Sequence, residues 1–342
     1  MKLASIAILC VAVLPAQQPE PLRVCATTPD LGSLAKIVGG DLVEVTTFVQ
    51  GPEDPHFLEA RPSMIKATSK ADALLEVGLE LEVGYLPLCT DNARNAAVLL
   101  GAPGRIDAST VIEKLEVPQG TVDRSRGDVH PGGNPHFFSD PLCGLLVAAQ
   151  LRDRFTALRP GAKAAFAGNY DRFRQQLCEA MVGQALAKLY AYDVEKLGVL
   201  FGRGRLADVL KAQGDLDKLQ GWFGLMLPYR GSKIVADHDL WPYFAERFGV
   251  QVIGFFEPKP GISPTTAHLE LLIQRMRAEN VRVILSVPYF APQHAEFVAR
   301  ATGAQIAEMA HQVGSRPGCD DYIKFVDHNV HVLAGALAGK GQ

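Results

Sequence analysis

Short apolar runs alternate with amphipathic segments along most of the chain, and no other feature restricts its fold as strongly. Residues 22–27 read as a strand, 30–38 as a helix, 43–49 as a strand, 62–70 as a helix and 73–77 as a buried strand. The rhythm returns later, with strands at 233–236, 252–256 and 281–286 and helices at 240–248, 265–279, 293–302 and 322–337. Strands separated by helices pair in parallel, because the crossover helix brings the chain back to the same end of the sheet. The fold class is therefore α/β, each sheet mostly parallel and flanked by helices. A chain of 342 residues with 48% hydrophobic content can bury more than one such unit, and two lobes are expected.

Between the two alternating regions the period changes. Phe166, Tyr170, Phe173, Leu177 and Met181, then Leu186 and Leu189, recur at helical spacing. This predicts one helix over 161–190, about 45 Å long at 1.5 Å per residue, suited to a rigid link between lobes. The expected layout is an N-terminal lobe over 19–160, the linking helix over 161–190 and a C-terminal lobe over 230–342. Residues 191–229 form an insertion of short helices with no role read for it. Its FGRGR lacks the Gly-Lys-Ser/Thr of a phosphate loop.

Residues 1–18 read as a secretory signal: Lys2, an apolar run from Leu3 to Leu14, then a Pro/Gln-rich break, too short to span a bilayer comfortably. Export to the periplasm or another extracytoplasmic space follows. Cys10 is a poor lipidation site, because Leu9 before it is large and the apolar run would be cut halfway. The formal net charge of -3, with no Lys/Arg run, excludes an extended nucleic-acid surface. Cys25, Cys89, Cys143, Cys178 and Cys319 show no CxxC spacing and no close pair, so this is not a disulfide scaffold, and one bridge is possible in an oxidising compartment. Any bound metal must rely on histidine and carboxylate.

Three histidines stand out: His56 and His238 fall near the carboxyl ends of strands, where an α/β sheet places its ligands, and His136 lies in a loop leading into a helix. His56 lies in GPEDPHFLEARPS, His136 in NPHFFSDP and His238 in KIVADHDLWPYF. Each alone is compatible with a solvated loop, an acid/base group or a metal ligand. Contributed by both lobes, the three define a site in the cleft between them. Imidazole suits zinc, and an oxygen ligand would complete a tetrahedral set. Asp320 and Asp321, in GCDDYIKFVDHNV, are carboxylate candidates that also suit a helix N-cap and first turn. His268, His294, His311, His328 and His331 read as surface residues. HExxH is absent, and no glutamate stands out as the base a zinc hydrolase needs.

Together with TTPDLGSLAKIVGGD and KADALLEVGLELE, these motifs in this order resemble the substrate-binding proteins of bacterial ABC transporters for zinc and manganese. The resemblance covers the mature chain apart from 191–229. It implies two α/β lobes on one rigid helix, a carrier rather than an enzyme, a membrane permease as partner, with a metallochaperone as a further candidate, and a monomer. Residue by residue it implies His56, His136, His238 and Asp320 as metal ligands, with Asp321 the alternative one register away. A histidine at the third position favours Zn²⁺ where a glutamate would favour Mn²⁺. Zinc-specific relatives carry a long His/Asp-rich loop before the second ligand; here only RSRGDVHPGGNP stands there, leaving His130 as an auxiliary ligand or a solvated residue. The same ligand set leaves open a manganese- or iron-binding relative, a zinc hydrolase and a metal-stabilised adhesin.

Overall fold

The computed structural model describes residues 20–119, 130–258 and 261–339. The signal sequence and Cys10 lie outside them. Eight strands form two sheets of four, every pairing parallel. The first sheet contains β1 (Leu22–Ala26), β2 (Val43–Thr47), β3 (Ala73–Glu76) and β4 (Arg105–Asp107), in the order β2-β1-β3-β4. The second contains β5 (Lys233–Ala236), β6 (Gln251–Phe255), β7 (Val283–Ser286) and β8 (Gln305–Glu308), in the order β6-β5-β7-β8. The two lobes thus repeat one topology. In each, the strand order reverses beside the first strand, which opens a crevice at the carboxyl ends.

The central strands β1, β3, β5 and β7 are largely apolar on both faces because helices cover both. Leu22, Val24 and Ala26 pack with Leu31, Leu34 and Val38 of helix Pro29–Gly39, while Cys25 and Leu74 face a second cluster with Tyr85 and Cys89. All five cysteines in the described residues are buried free thiols, so no bridge forms among them.

The linking helix is shorter than its periodicity suggests. It runs Lys163–Val182, stops at Gly183 and resumes as Gln184–Tyr190. Gly183 has φ +82°, where a Cβ would also meet the Gln220 side chain at 2.6 Å. The apolar spacing survives the break because the second helix also turns its apolar side, with buried Leu186, inward. Helix Lys163–Val182 spans about 30 Å. It packs against Pro29–Gly39 and Pro141–Leu158 on one side and Gly221–Met226 and Tyr322–Leu337 on the other.

Residues 191–229 are not a peripheral excursion. Helices Val194–Gly202, Leu206–Gln213 and Gly221–Met226 bury Leu197, Phe201, Leu206, Leu210, Trp222 and Phe223 in the core that also holds Phe173 and Phe248. Phe201 and Phe223 stack with ring centroids 4.3 Å apart.

Polar clamps hold the lobes together beside the cleft. Arg247 binds Asp140 through two 2.8 Å hydrogen bonds, both side chains nearly buried. Tyr322 Oη donates to the Phe138 and Asp140 carbonyls at 2.8 and 3.1 Å. The Val313 amide donates to buried Asp30 at 2.9 Å, and the Leu115 amide donates to Tyr243 Oη at 3.0 Å.

Candidate metal centre

His56 sits in a one-turn helix, Pro55–Phe57, in the connection that follows β2. His136 immediately precedes a similar turn, Phe137–Ser139, that leads into helix Pro141–Leu158. His238 follows β5 by two residues. The strands end at the cleft, so these three connections deliver three rings to one place. One ligand atom from each histidine lies within 4.8 Å of the other two. Ring centroids are 5.2 Å apart for His56 and His136, 5.9 Å for His56 and His238, and 6.1 Å for His136 and His238.

Oxygen atoms behind the rings fix their orientation. His56 Nδ1 donates to Asp54 Oδ1 at 2.7 Å, and the same oxygen accepts the His56 amide at 2.9 Å. Asn134 Oδ1 repeats the arrangement, accepting the His136 amide and His136 Nδ1, both at 2.9 Å. His238 Nδ1 donates to Glu257 Oε2 at 2.6 Å. Each neutral ring has one proton; with it held on Nδ1, the Nε2 lone pair is left for a metal. Asn134 also joins the lobes, its amide donating to Glu116 Oε2 and to the Asp239 carbonyl at 3.0 Å each.

Electrostatics favour the neutral form of His136. Burial, reinforced by the neighbouring histidines, holds the His136 pKa well below the ordinary imidazole value. Its buried Nε2 has no hydrogen-bond partner among the described residues. Burial would raise the Asp54 carboxyl, but the hydrogen bond to His56 and its charge outweigh that and hold the pKa below the usual value. Two carboxylates behind three imidazoles would offset the charge of a divalent cation without touching it.

The expected fourth ligand is not brought to this cluster. The Asp320 side chain is 73% exposed and pairs with Lys324 at 3.4 Å. Asp321 caps the last helix, its Oδ1 accepting the Lys324 amide at 2.9 Å. Both aspartates line a separate surface groove beside Gly32, Ser33 and Lys36. The local preference for an acid at a helix start decided their position. His130, by contrast, lies beside the cluster: its Nε2 is 3.3 Å from His56 Nε2, and its Nδ1 donates to the Leu79 carbonyl at 2.9 Å.

His311 is not a surface residue. It is half-buried beside the cluster with its Nδ1 enclosed, in a cavity of about 40 Å³ also lined by Thr28, His56, His136, Trp241 and Tyr289. Its Nε2 donates to the Glu53 carbonyl at 3.2 Å, and burial lowers its pKa to about 4. Sequence reasoning also missed Asp54, Asn134 and Glu257. The first two had a readable signal, since Asp54-Pro55-His56 and Asn134-Pro135-His136 share one pattern. Glu257 lies 19 residues from His238 and gave none.

Two parallel α/β lobes closing on convergent, oriented imidazoles define a class, the metal-binding proteins that present substrate to ABC transporters. The family profile described as the periplasmic component A of the zinc-uptake complex, ZnuA, matches residues 24–189 and 207–336. Only 190–206 fall between its two parts, so most of the apparent insertion has a counterpart there. The high-affinity zinc uptake system protein ZnuA of Yersinia pestis is 21% identical over 286 residues, 80% of this chain and 78% of that one. The iron ABC transporter substrate-binding lipoprotein MtsA of Streptococcus pyogenes is 21% identical over 323 residues, 93% of this chain and 90% of that one. A crystal structure of ZnuA shares the fold with a TM-score of 0.67 at 20% identity, covering 93% of this chain and 99% of the other. The chain belongs to the ZnuA family of periplasmic metal-binding proteins of ABC transporters.

Proposed function

We propose that this protein captures Zn²⁺ outside the cytoplasm and delivers it to the permease of an ABC transporter, with His56, His136 and His238 as ligands. The observation that carries the reading is the convergence of three imidazoles, each with its Nδ1 proton tied to an oxygen. All-nitrogen ligation suits borderline-soft Zn²⁺ better than harder Mn²⁺, which favours oxygen. Relatives named for zinc, manganese and iron leave all three metals within the family's range, so the argument for zinc rests on this donor set. It also favours carriage over hydrolysis. The carboxylates nearest the rings, Asp54 and Glu257, already accept imidazole N–H groups, and a hydrolase needs one as a base toward metal-bound water.

The test is a chelator competition on metal-stripped protein, first with Zn²⁺, then with Mn²⁺, and with His238→Ala. One tight zinc site per chain, crippled by the substitution, is the expected result. Tighter binding of Mn²⁺ would overturn the metal assignment, and an unaffected His238→Ala would overturn the site.

A further inference from the structure

We infer that His130 is a fourth ligand of the same ion, making the centre a cage of four imidazoles with no oxygen donor. The inference rests on the metal-capture reading above and supplies the donor that Asp320 does not. His130 Nδ1 donates its proton to the Leu79 carbonyl at 2.9 Å, and His56 Nδ1 donates to Asp54 at 2.7 Å. With both ring protons placed there, the two Nε2 atoms facing each other at 3.3 Å both carry lone pairs. Neutral rings in these tautomers cannot hydrogen-bond to one another through Nε2. A shared cation between them turns the repulsion into attraction.

The spacing agrees with that cation. Zinc–nitrogen bonds of about 2.0–2.1 Å at tetrahedral angles place two ligand nitrogens about 3.3–3.4 Å apart. The ring also lies beside two of the other three, with centroids 5.4 Å from His56 and 6.2 Å from His136. His130 repeats the support given to the other rings, an oxygen behind Nδ1 and Nε2 turned inward. His311 is arranged in the opposite sense: its Nε2 is held by the Glu53 carbonyl and its Nδ1 is the atom left over.

A ligand set of four neutral nitrogens has a consequence for choice of metal. Manganese and magnesium, which favour carboxylate, carbonyl and water, would find no anionic donor in the inner sphere. His130 would also enclose the ion from the side of the Leu79 turn, leaving no coordination position for water in a tetrahedral site.

The test uses the full mature chain, stripped of metal, with Zn²⁺ in chelator competition and Co²⁺ as a spectroscopic probe. Wild type is compared with His130→Ala, His130→Asp and His136→Ala, and the metal-free fold of each is checked by circular dichroism. The expected result is that His130→Ala weakens zinc by more than the roughly 10–100-fold that loss of a supporting residue costs. It should also shift the visible Co²⁺ bands as water replaces nitrogen, and His130→Asp should improve Mn²⁺ relative to Zn²⁺. If His136→Ala abolishes binding while His130→Ala keeps both the wild-type affinity and the Co²⁺ spectrum, His130 is not a ligand and the capture reading stands. If wild type binds no zinc, both fall together.

Discussion

At the scale of residues, the centre depends on atoms one step removed from the ion. Asp54 and Asn134 each stand two residues before a histidine across a proline and accept both its amide and its Nδ1 proton. Proline suits this Asx turn because it has no N–H of its own and a fixed φ. Asp54→Ala should leave the fold intact and cost about 10–100-fold in zinc affinity, measured by chelator competition, because the ring loses its tautomer and orientation. His56 and His238 were legible because they fall near strand ends, and His136 because it stands in a Gly/Pro-rich loop before a helix; Asp320 misled because a motif match in sequence carries no information about distance in space. His311 supplies a pH test. Its pKa is lowered to about 4, so below the ordinary imidazole value of 6.5 the unfolded chain takes up a proton that the folded chain refuses. The stability associated with this group is therefore intact above pH 6.5 and falls as pH drops toward 4. Relative to a His311→Leu variant, the metal-free protein should lose about 2 kcal/mol between pH 7 and pH 5 in urea unfolding. Asp30, Glu82 and Asp237, each raised to about 7 by burial, act in the opposite sense. They are common to both proteins and cancel in the difference. An identical pH dependence in the two proteins would refute the assignment.

At the scale of elements, the strands were legible because both faces are buried, which leaves continuous apolar runs such as ALLE and VILS. The break at Gly183 was not, since one glycine is tolerated within a helix and the apolar spacing continued beyond it. Nor could periodicity show that the helices over 191–229 enter the main core, because an apolar face does not name what covers it. Glycine is decisive where helix Pro141–Leu158 meets the final helix. A Cβ on Gly144 would lie 2.1 Å from Cζ and Oη of Tyr322, whose hydroxyl holds the Phe138 and Asp140 carbonyls. The ring is fully buried and cannot swing away. Gly144→Ala should therefore destabilise by about 1–3 kcal/mol in denaturant unfolding, the usual cost of overpacking. Because those carbonyls close the turn that carries His136, zinc affinity should fall in the same variant, while Gly161→Ala, with open space around it, should change neither.

At the scale of the whole molecule, the two lobes share one continuous core, with Leu22, Leu75, Ile234 and Leu285 in a single cluster. Helix Lys163–Val182 packs on both lobes, and Arg247–Asp140, Asp30–Val313 and Tyr243–Leu115 fasten the edges of the cleft. A metal that ties together rings from both lobes therefore adds one more fastening to lobes already docked. Zinc at a hundred times its dissociation constant contributes about 2.7 kcal/mol, which for a chain of this size raises the melting temperature by about 5 °C. The radius of gyration in solution scattering should stay the same with and without the ion. Large closure on binding would refute the picture, since it requires the Arg247–Asp140 pair to break in the metal-free state. Arg247→Ala separates fastening from ligation. It leaves Asp140 buried without its partner, a loss of about 3–5 kcal/mol, yet Arg247 touches none of the imidazoles. The metal-free variant should melt much earlier than wild type but still gain a similar stabilisation from zinc, because the ligands are held by their own turns and not by the clamp.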